Sequence, residues 1–109
     1  MAGRLLKDAG QDALSPDGRF TLAYDASHSL ALAALRWHGF RSENRYIVFQ
    51  ALPHTLGFGK WRFLGDCHHK RNVVLYDGDL IDDEPLIKEL ISVTRELQVL
   101  VGQLAPIDP

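Results

Sequence analysis

Between residues 20 and 38 the apolar and small side chains recur every three or four positions: Phe20, Ala23, Tyr24, Ser27, Leu30, Ala31, Ala34, Leu35 and His38. At 100° per residue these positions form one continuous stripe, so the segment buries a single face only as an α-helix. A second stripe, of Leu86, Ile87, Leu90, Ile91, Thr94, Leu97, Val101 and Leu104, repeats the pattern near the end of the chain. No segment shows the two-residue alternation of a half-buried strand in competition with these periods. Residues 71–76 contain adjacent valines, but a lone strand has no partner to pair with. The expected fold is all-α, an antiparallel up-and-down bundle of four to five helices.

Local signals set the expected boundaries. Leu5, Leu6, Ala9 and Ala13 suggest a short helix over 4–14. Ser15 can cap the long helix, Pro16 fits its first turn, Asp17 suits its positive end, and Gly39 is a left-handed stop. A further helix is expected from near Ser42, with Glu43 in its first turn and Tyr46, Ile47 and Phe49 along it. Pro53 should kink or end it, and Gly57-Phe58-Gly59 should be a loop. The next helix covers about residues 60–76 and Asp77-Gly78 is a turn. The last helix starts at Asp82 or Asp83, helped by Glu84 and Pro85, and residues 105–109 form a frayed tail. With no repeat or linker, residues 1–109 read as one domain with its core over about 16–104.

A chain of 109 residues with 46% hydrophobic content can build one core, with little room for an enclosed cavity. The net charge of −2 argues against a strong nonspecific polyanion binder, so any nucleic-acid contact needs a local basic cluster. A single cysteine, Cys67, allows no intrachain disulfide and points to a reducing compartment. No stretch approaches the roughly 20 apolar residues of a membrane span, and residues 1–14 lack a signal-peptide core. A cytoplasmic protein without membrane contact is expected.

The chemistry concentrates on residues 60–76. Trp61, Leu64, Gly65, His68, Asn72 and Tyr76 share one helical stripe, flanked by Arg71 and Leu75. Its ends suggest a buried face, yet its middle is polar, and inward polar groups need partners. Gly65 thins the stripe enough for a close approach by another backbone or a ligand. The plainer alternative is an Arg–Asn pair that only bridges helices. The opposite face, with Arg62, Asp66, His69 and Lys70, reads as solvated, with an Asp66–Lys70 pair one turn apart. Cys67, His68 and His69 diverge by 100° per step, so they cannot all converge on one ion; His54 could add a ligand, but nothing in the sequence fixes its distance, and no metal or cofactor is expected. Cys67 lacks an accompanying oxyanion hole and reads as a structural thiol rather than a nucleophile. Arg36, Arg41 and Arg45 surround the aromatic corner Trp37-His38-Gly39-Phe40, where they could hold phosphates or stack on bases; a solvated helix corner is the alternative.

Over about residues 19–104 the chain resembles the HEPN (higher eukaryote and prokaryote nucleotide-binding) helical domains. The resemblance lies in Tyr24-Asp25-Ala26, residues 31–35, Gly39-Phe40-Arg41, the stretch His69 to Tyr76 containing Arg71-Asn72, and the final amphipathic helix. It implies a helical bundle, commonly a homodimer, associated with RNA or nucleotides. It also implies a metal-independent ribonuclease, or an inactive partner of a nucleotidyltransferase or of a toxin–antitoxin pair. The family motif is Arg-Asn, three residues, then His; here Arg71 and Asn72 match and Tyr76 holds the histidine position. Tyrosine, with a reference pKa of about 10, is a poor base at neutral pH; Tyr76 could still orient a phosphate or hydrogen-bond Asn72, and His68 could substitute as the proton carrier. The expected site is therefore Arg71, Asn72, Tyr76 and His68, with Arg71, Arg41 and Arg45 binding the ligand. The expected function is a HEPN-like RNA- or nucleotide-associated module. A weak endoribonuclease and a non-catalytic dimeric interaction module are the alternatives.

Overall fold

The computed structural model describes residues 15–78 and 81–104, apart from the side chain of Leu75. The helix expected over 4–14 and the tail 105–109 lie outside the described residues. The rest is an all-α bundle: α1 (Pro16–Trp37), α2 (Arg45–Gln50), α3 (Leu52–Thr55), α4 (Trp61–Asp77) and α5 (Glu84–Gly102).

The boundaries of α1 follow its sequence. Ser15 Oγ accepts from Gly18 N at 3.1 Å, and Pro16 stands in the first turn. At the other end Gly39 takes φ +86°. Gly39 N donates to Arg36 O and Phe40 N to Leu35 O, closing the helix through a left-handed residue. Phe20, Ala23, Tyr24, Ser27 and Ala34 are completely buried, while His38 is exposed. Its Nε2 lies 3.0 Å from the carbonyl oxygen of Thr55 at the end of α3.

The second helix begins later than Ser42. Asn44 is its cap, its Oδ1 accepting from Tyr46 N at 3.0 Å and Ile47 N at 3.2 Å. Ser42 Oγ instead accepts from Asn44 N in the preceding turn. A helix this short touches the bundle with one side of one turn. Val48 and Phe49 are buried, whereas Tyr46 and Ile47 stay exposed. Pro53 has no N–H to extend the α2 ladder, so the chain breaks at Ala51 and restarts as α3. Phe58 in the glycine-flanked loop is buried.

α5 is capped by Asp83, whose Oδ1 accepts from Leu86 N at 3.1 Å. Lys70 Nζ reaches Asp83 Oδ2 at 3.4 Å rather than pairing with Asp66. An exposed pair one turn apart adds only about 0.3 kcal/mol, so a carboxylate already fixed by capping competes easily.

Three contacts set the helix directions. An Arg19–Glu84 ion pair joins the starts of α1 and α5. Arg71 and Val74, late in α4, share a recess with Asp17, Phe20 and Thr21, early in α1. Lys60, just before α4, pairs with Glu96, late in α5, at 2.9 Å. The long helices therefore run up, down and up, with α1 central and α2 packed on both α1 and α4. Phe20, Tyr24, Phe49, Leu52, Leu64, Ile87, Leu90 and Leu97 form the fully buried core. Among the described residues no helix is long and apolar enough to cross a membrane.

The α4 stripe leaves the core halfway. Leu64, Gly65 and Cys67 are buried and His68 is half-buried, but Asn72 and Tyr76 are exposed. α2, which packs on α4, is only six residues long, too short to cover the whole stripe.

Candidate functional site

The polar residues in that stripe meet α1 at Tyr24. The Tyr24 ring is fully buried. It lies parallel to Phe20 at 6.2 Å between centroids, with Phe49 edge-on at 6.1 Å and His68 at 6.1 Å. A buried hydroxyl needs a partner, and Tyr24 Oη finds His68 Nδ1 at 2.6 Å. One helical turn later, Asn72 Nδ2 lies 3.2 Å from His68 Nε2. With the amide donating, Nε2 accepts, so Nδ1 carries the proton and donates to Tyr24 Oη. Both imidazole nitrogens are thus engaged.

Two guanidinium groups flank the same ring. Arg71 Cζ is 5.0 Å and Arg45 Cζ 5.5 Å from the Tyr24 centroid, within cation–π range. The two cations therefore lie within about 10.5 Å of each other. Neither is closely neutralised. Arg45 Nη1 approaches Asp25 Oδ1 only to 3.6 Å, and this buried nitrogen has no hydrogen-bond partner. Arg71 has no carboxylate partner among the described residues.

The electrostatics follow from burial and these cations. Desolvation lowers the pKa of His68, and the charges of Arg45, Arg71 and His69 lower it further. His28, edge-on to Phe49 at 6.1 Å, is lowered by burial and by Arg45, with Asp25 opposing. Burial raises the Tyr24 phenol, against the pull of Arg45 and Arg71. At neutral pH the cluster is two permanent cations, one of them 3.6 Å from the Asp25 carboxylate, around a neutral phenol and two neutral imidazoles. Such a group can hold an anion and hydrogen-bond a neighbouring hydroxyl.

The structure brings together Arg71, Asn72, His68 and Arg45. It does not bring in Arg41, which is exposed and lines a separate recess with Leu32, Arg36, Ser42 and Glu43. Nor does it bring in Tyr76, 92% exposed one turn beyond Asn72. Sequence reasoning did not assign Tyr24, the anchor of the cluster, or Asp25, His28 and Phe49 around it. A usable signal was present: polar-tipped Tyr24 lies within the apolar stripe of α1, with His28 one turn on, as His68 lies within the stripe of α4. Two such interruptions on helices that must pack together are each other's natural partners.

The close approach to Gly65 comes from a side chain. A Cβ at Gly65 would sit 3.1 Å from Cε2 of Tyr46, so the glycine admits the α2 tyrosine ring. Cys67 is buried, and desolvation pushes its thiol up to about 12, which keeps it protonated and unreactive at neutral pH. No three metal-ligating side chains converge among the described residues. No family model, curated protein or solved structure matches the chain.

Proposed function

We propose that the chain is a HEPN-like, RNA- or nucleotide-associated module that binds phosphate between Arg45 and Arg71. The observation that carries this is the pair of guanidinium groups on the Tyr24 ring, neither matched by a hydrogen-bonded carboxylate. Guanidinium groups suit phosphate because their planar forks donate bidentately. The ring limits their freedom before a ligand arrives, which reduces the entropy cost of binding. The exposed amide of Asn72 and the imidazole of His68 lie in the same cluster, where they can orient the phosphate or meet a ribose hydroxyl. With only two cations engaged, affinity should fall gently with salt, by a log–log slope of about −1.4 for single strands.

Fluorescence polarisation with short single-stranded RNA tests the proposal. Arg45→Ala and Arg71→Ala should each weaken binding at least about tenfold, one lost charged hydrogen-bond pair being on the order of 1.5–3 kcal/mol. Arg71 is half-buried and makes no ion pair among the described residues, so its variant should stay folded by circular dichroism. Unchanged RNA and nucleotide binding in two folded variants would overturn the proposal.

Endoribonuclease activity is less well supported. His68 is neutral, as a general base requires, but its unprotonated nitrogen, Nε2, must first release Asn72 to act. Tyr76, at the family's histidine position, lies outside the cluster. The module would work as a cytoplasmic homodimer, or beside a nucleotidyltransferase or antitoxin partner; light-scattering mass of the purified chain tests the dimer.

A further inference from the structure

α5 carries Lys88, Ser92, Arg95 and Val99 at intervals of four, three and four residues, all exposed. That spacing places them in one line along the helix. With Arg19 and Ile91 they border a recess of about 590 Å³, within the range of roughly 300–1,000 Å³ common for small-molecule sites. Three cations, Arg19, Lys88 and Arg95, face one lining carboxylate, Glu96. Glu84 is taken by Arg19 and Glu96 by Lys60, while Lys88 and Arg95 have no carboxylate partner among the described residues.

Arg19 is the unusual member. It is only 7% exposed, and its Nε is buried without a hydrogen-bond partner. Glu84 satisfies one of its other nitrogens. Keeping such a cation out of water is costly unless further anionic or polar contact repays it. The little surface it retains lines the recess.

Past Val99 the character changes. Val99 and Glu96 are shared with a neighbouring recess of about 580 Å³, whose apolar walls are Leu56, Phe58, Val99 and Leu100. From Lys88 to Leu100 the helix rises about 18 Å, so basic and apolar halves lie end to end on one element.

We propose that this surface is a second ligand site, separate from the Tyr24 cluster, for a small amphipathic phosphate. The phosphate sits among Arg19, Lys88 and Arg95, with the Ser92 hydroxyl as a further donor. The apolar body crosses Val99 toward Phe58 and Leu100. Three cations and a hydroxyl exceed what one carboxylate can use, but they match a dianionic phosphate monoester with its several acceptor lone pairs. A nucleic-acid strand would use the basic half and leave the apolar half uncovered.

The test uses n-octyl phosphate, with inorganic phosphate and the uncharged n-octyl glucoside as controls, below micelle-forming concentrations. Titration calorimetry gives affinity, and amide shifts at Ser92 and Val99 give location. Octyl phosphate should saturate the protein and bind at least about tenfold more tightly than inorganic phosphate, with no saturable binding of octyl glucoside. Lys88→Ala with Arg95→Ala alters only exposed side chains, so the fold should persist; affinity should drop at least about tenfold. In Arg45→Ala with Arg71→Ala the octyl phosphate shifts at the Ser92 and Val99 amides should saturate as in wild type. Equal binding of octyl glucoside, inorganic phosphate as tight as octyl phosphate, or full affinity in the folded Lys88/Arg95 variant would each overturn the proposal.

Discussion

His68 joins the buried phenol of Tyr24 to the exposed amide of Asn72, and that position fixes its protonation. Burial and the two arginines hold its pKa below the ordinary histidine value, as burial does for His28. The unfolded chain therefore takes up protons first as pH falls. The stability held by these neutral imidazoles is complete above about pH 6.5 and is lost as pH falls through the lowered folded-state values. Asp83 is also lowered, mainly by its bond from the Leu86 amide, but its contribution fades only near and below the carboxylate range and does not overlap. The melting temperature should drop between pH 7 and pH 5, and His68→Gln should flatten that drop. A variant with the wild-type slope would show that the imidazole is not responsible. At this scale the sequence pointed to Arg71, Asn72, His68 and Arg45 individually. It could not indicate that Arg45 and Arg71 share one ring, because that ring belongs to a different helix from either. Nor could it show that Arg41 and Tyr76 point elsewhere, because direction depends on where each helix starts and which turns are covered.

Among the elements, α2 is the most consequential for its size. It delivers Arg45 to the Tyr24 ring and Phe49 to the core, and isolated helices this short do not hold themselves together in water. Its first turn depends on Asn44, which satisfies two backbone donors. Asn44→Ala should cost about 1 kcal/mol in urea unfolding and also weaken the RNA binding proposed above, since Arg45 is the first residue of the helix. Ser42→Ala, at the position where composition alone would start the helix, should cost less than about 0.5 kcal/mol, as for an ordinary surface change. Equal losses in the two variants would move the effective cap back to Ser42. The long helices were legible in advance because each carries several turns of one period and a clear boundary, as at Gly39 and Gly78. α2 starts later than expected because its boundary depends on which of two capping residues, Ser42 or Asn44, takes up the cap geometry.

For the whole molecule, α1 is central, and α1 and α5 begin at the same end through Arg19 and Glu84. Leu90 and Leu97 on the inner face of α5 are completely buried, whereas Val99 is 61% exposed. Leu90→Ala should destabilise the fold by about 2–5 kcal/mol through lost burial and a residual cavity, a large share of the roughly 5–15 kcal/mol of a typical domain. Val99→Ala should stay within about 0.5 kcal/mol of wild type. Chemical denaturation of both variants checks this, and a small loss at Leu90 would mean that the α1–α5 contact is not the centre of the core. The sequence by itself determined the helical class, the extents of α1, α4 and α5, the break at Pro53 and the unusual polarity of the Arg71-Asn72 turn. Those properties arise from backbone periodicity and from hydrogen bonds between residues within four or five positions. Tertiary structure alone decided that Tyr24 meets His68 across 44 positions, that Arg45 and Arg71 converge on one ring and that the α4 stripe emerges into solvent. These depend on which faces pack together and how far each partner reaches, and no local period encodes either.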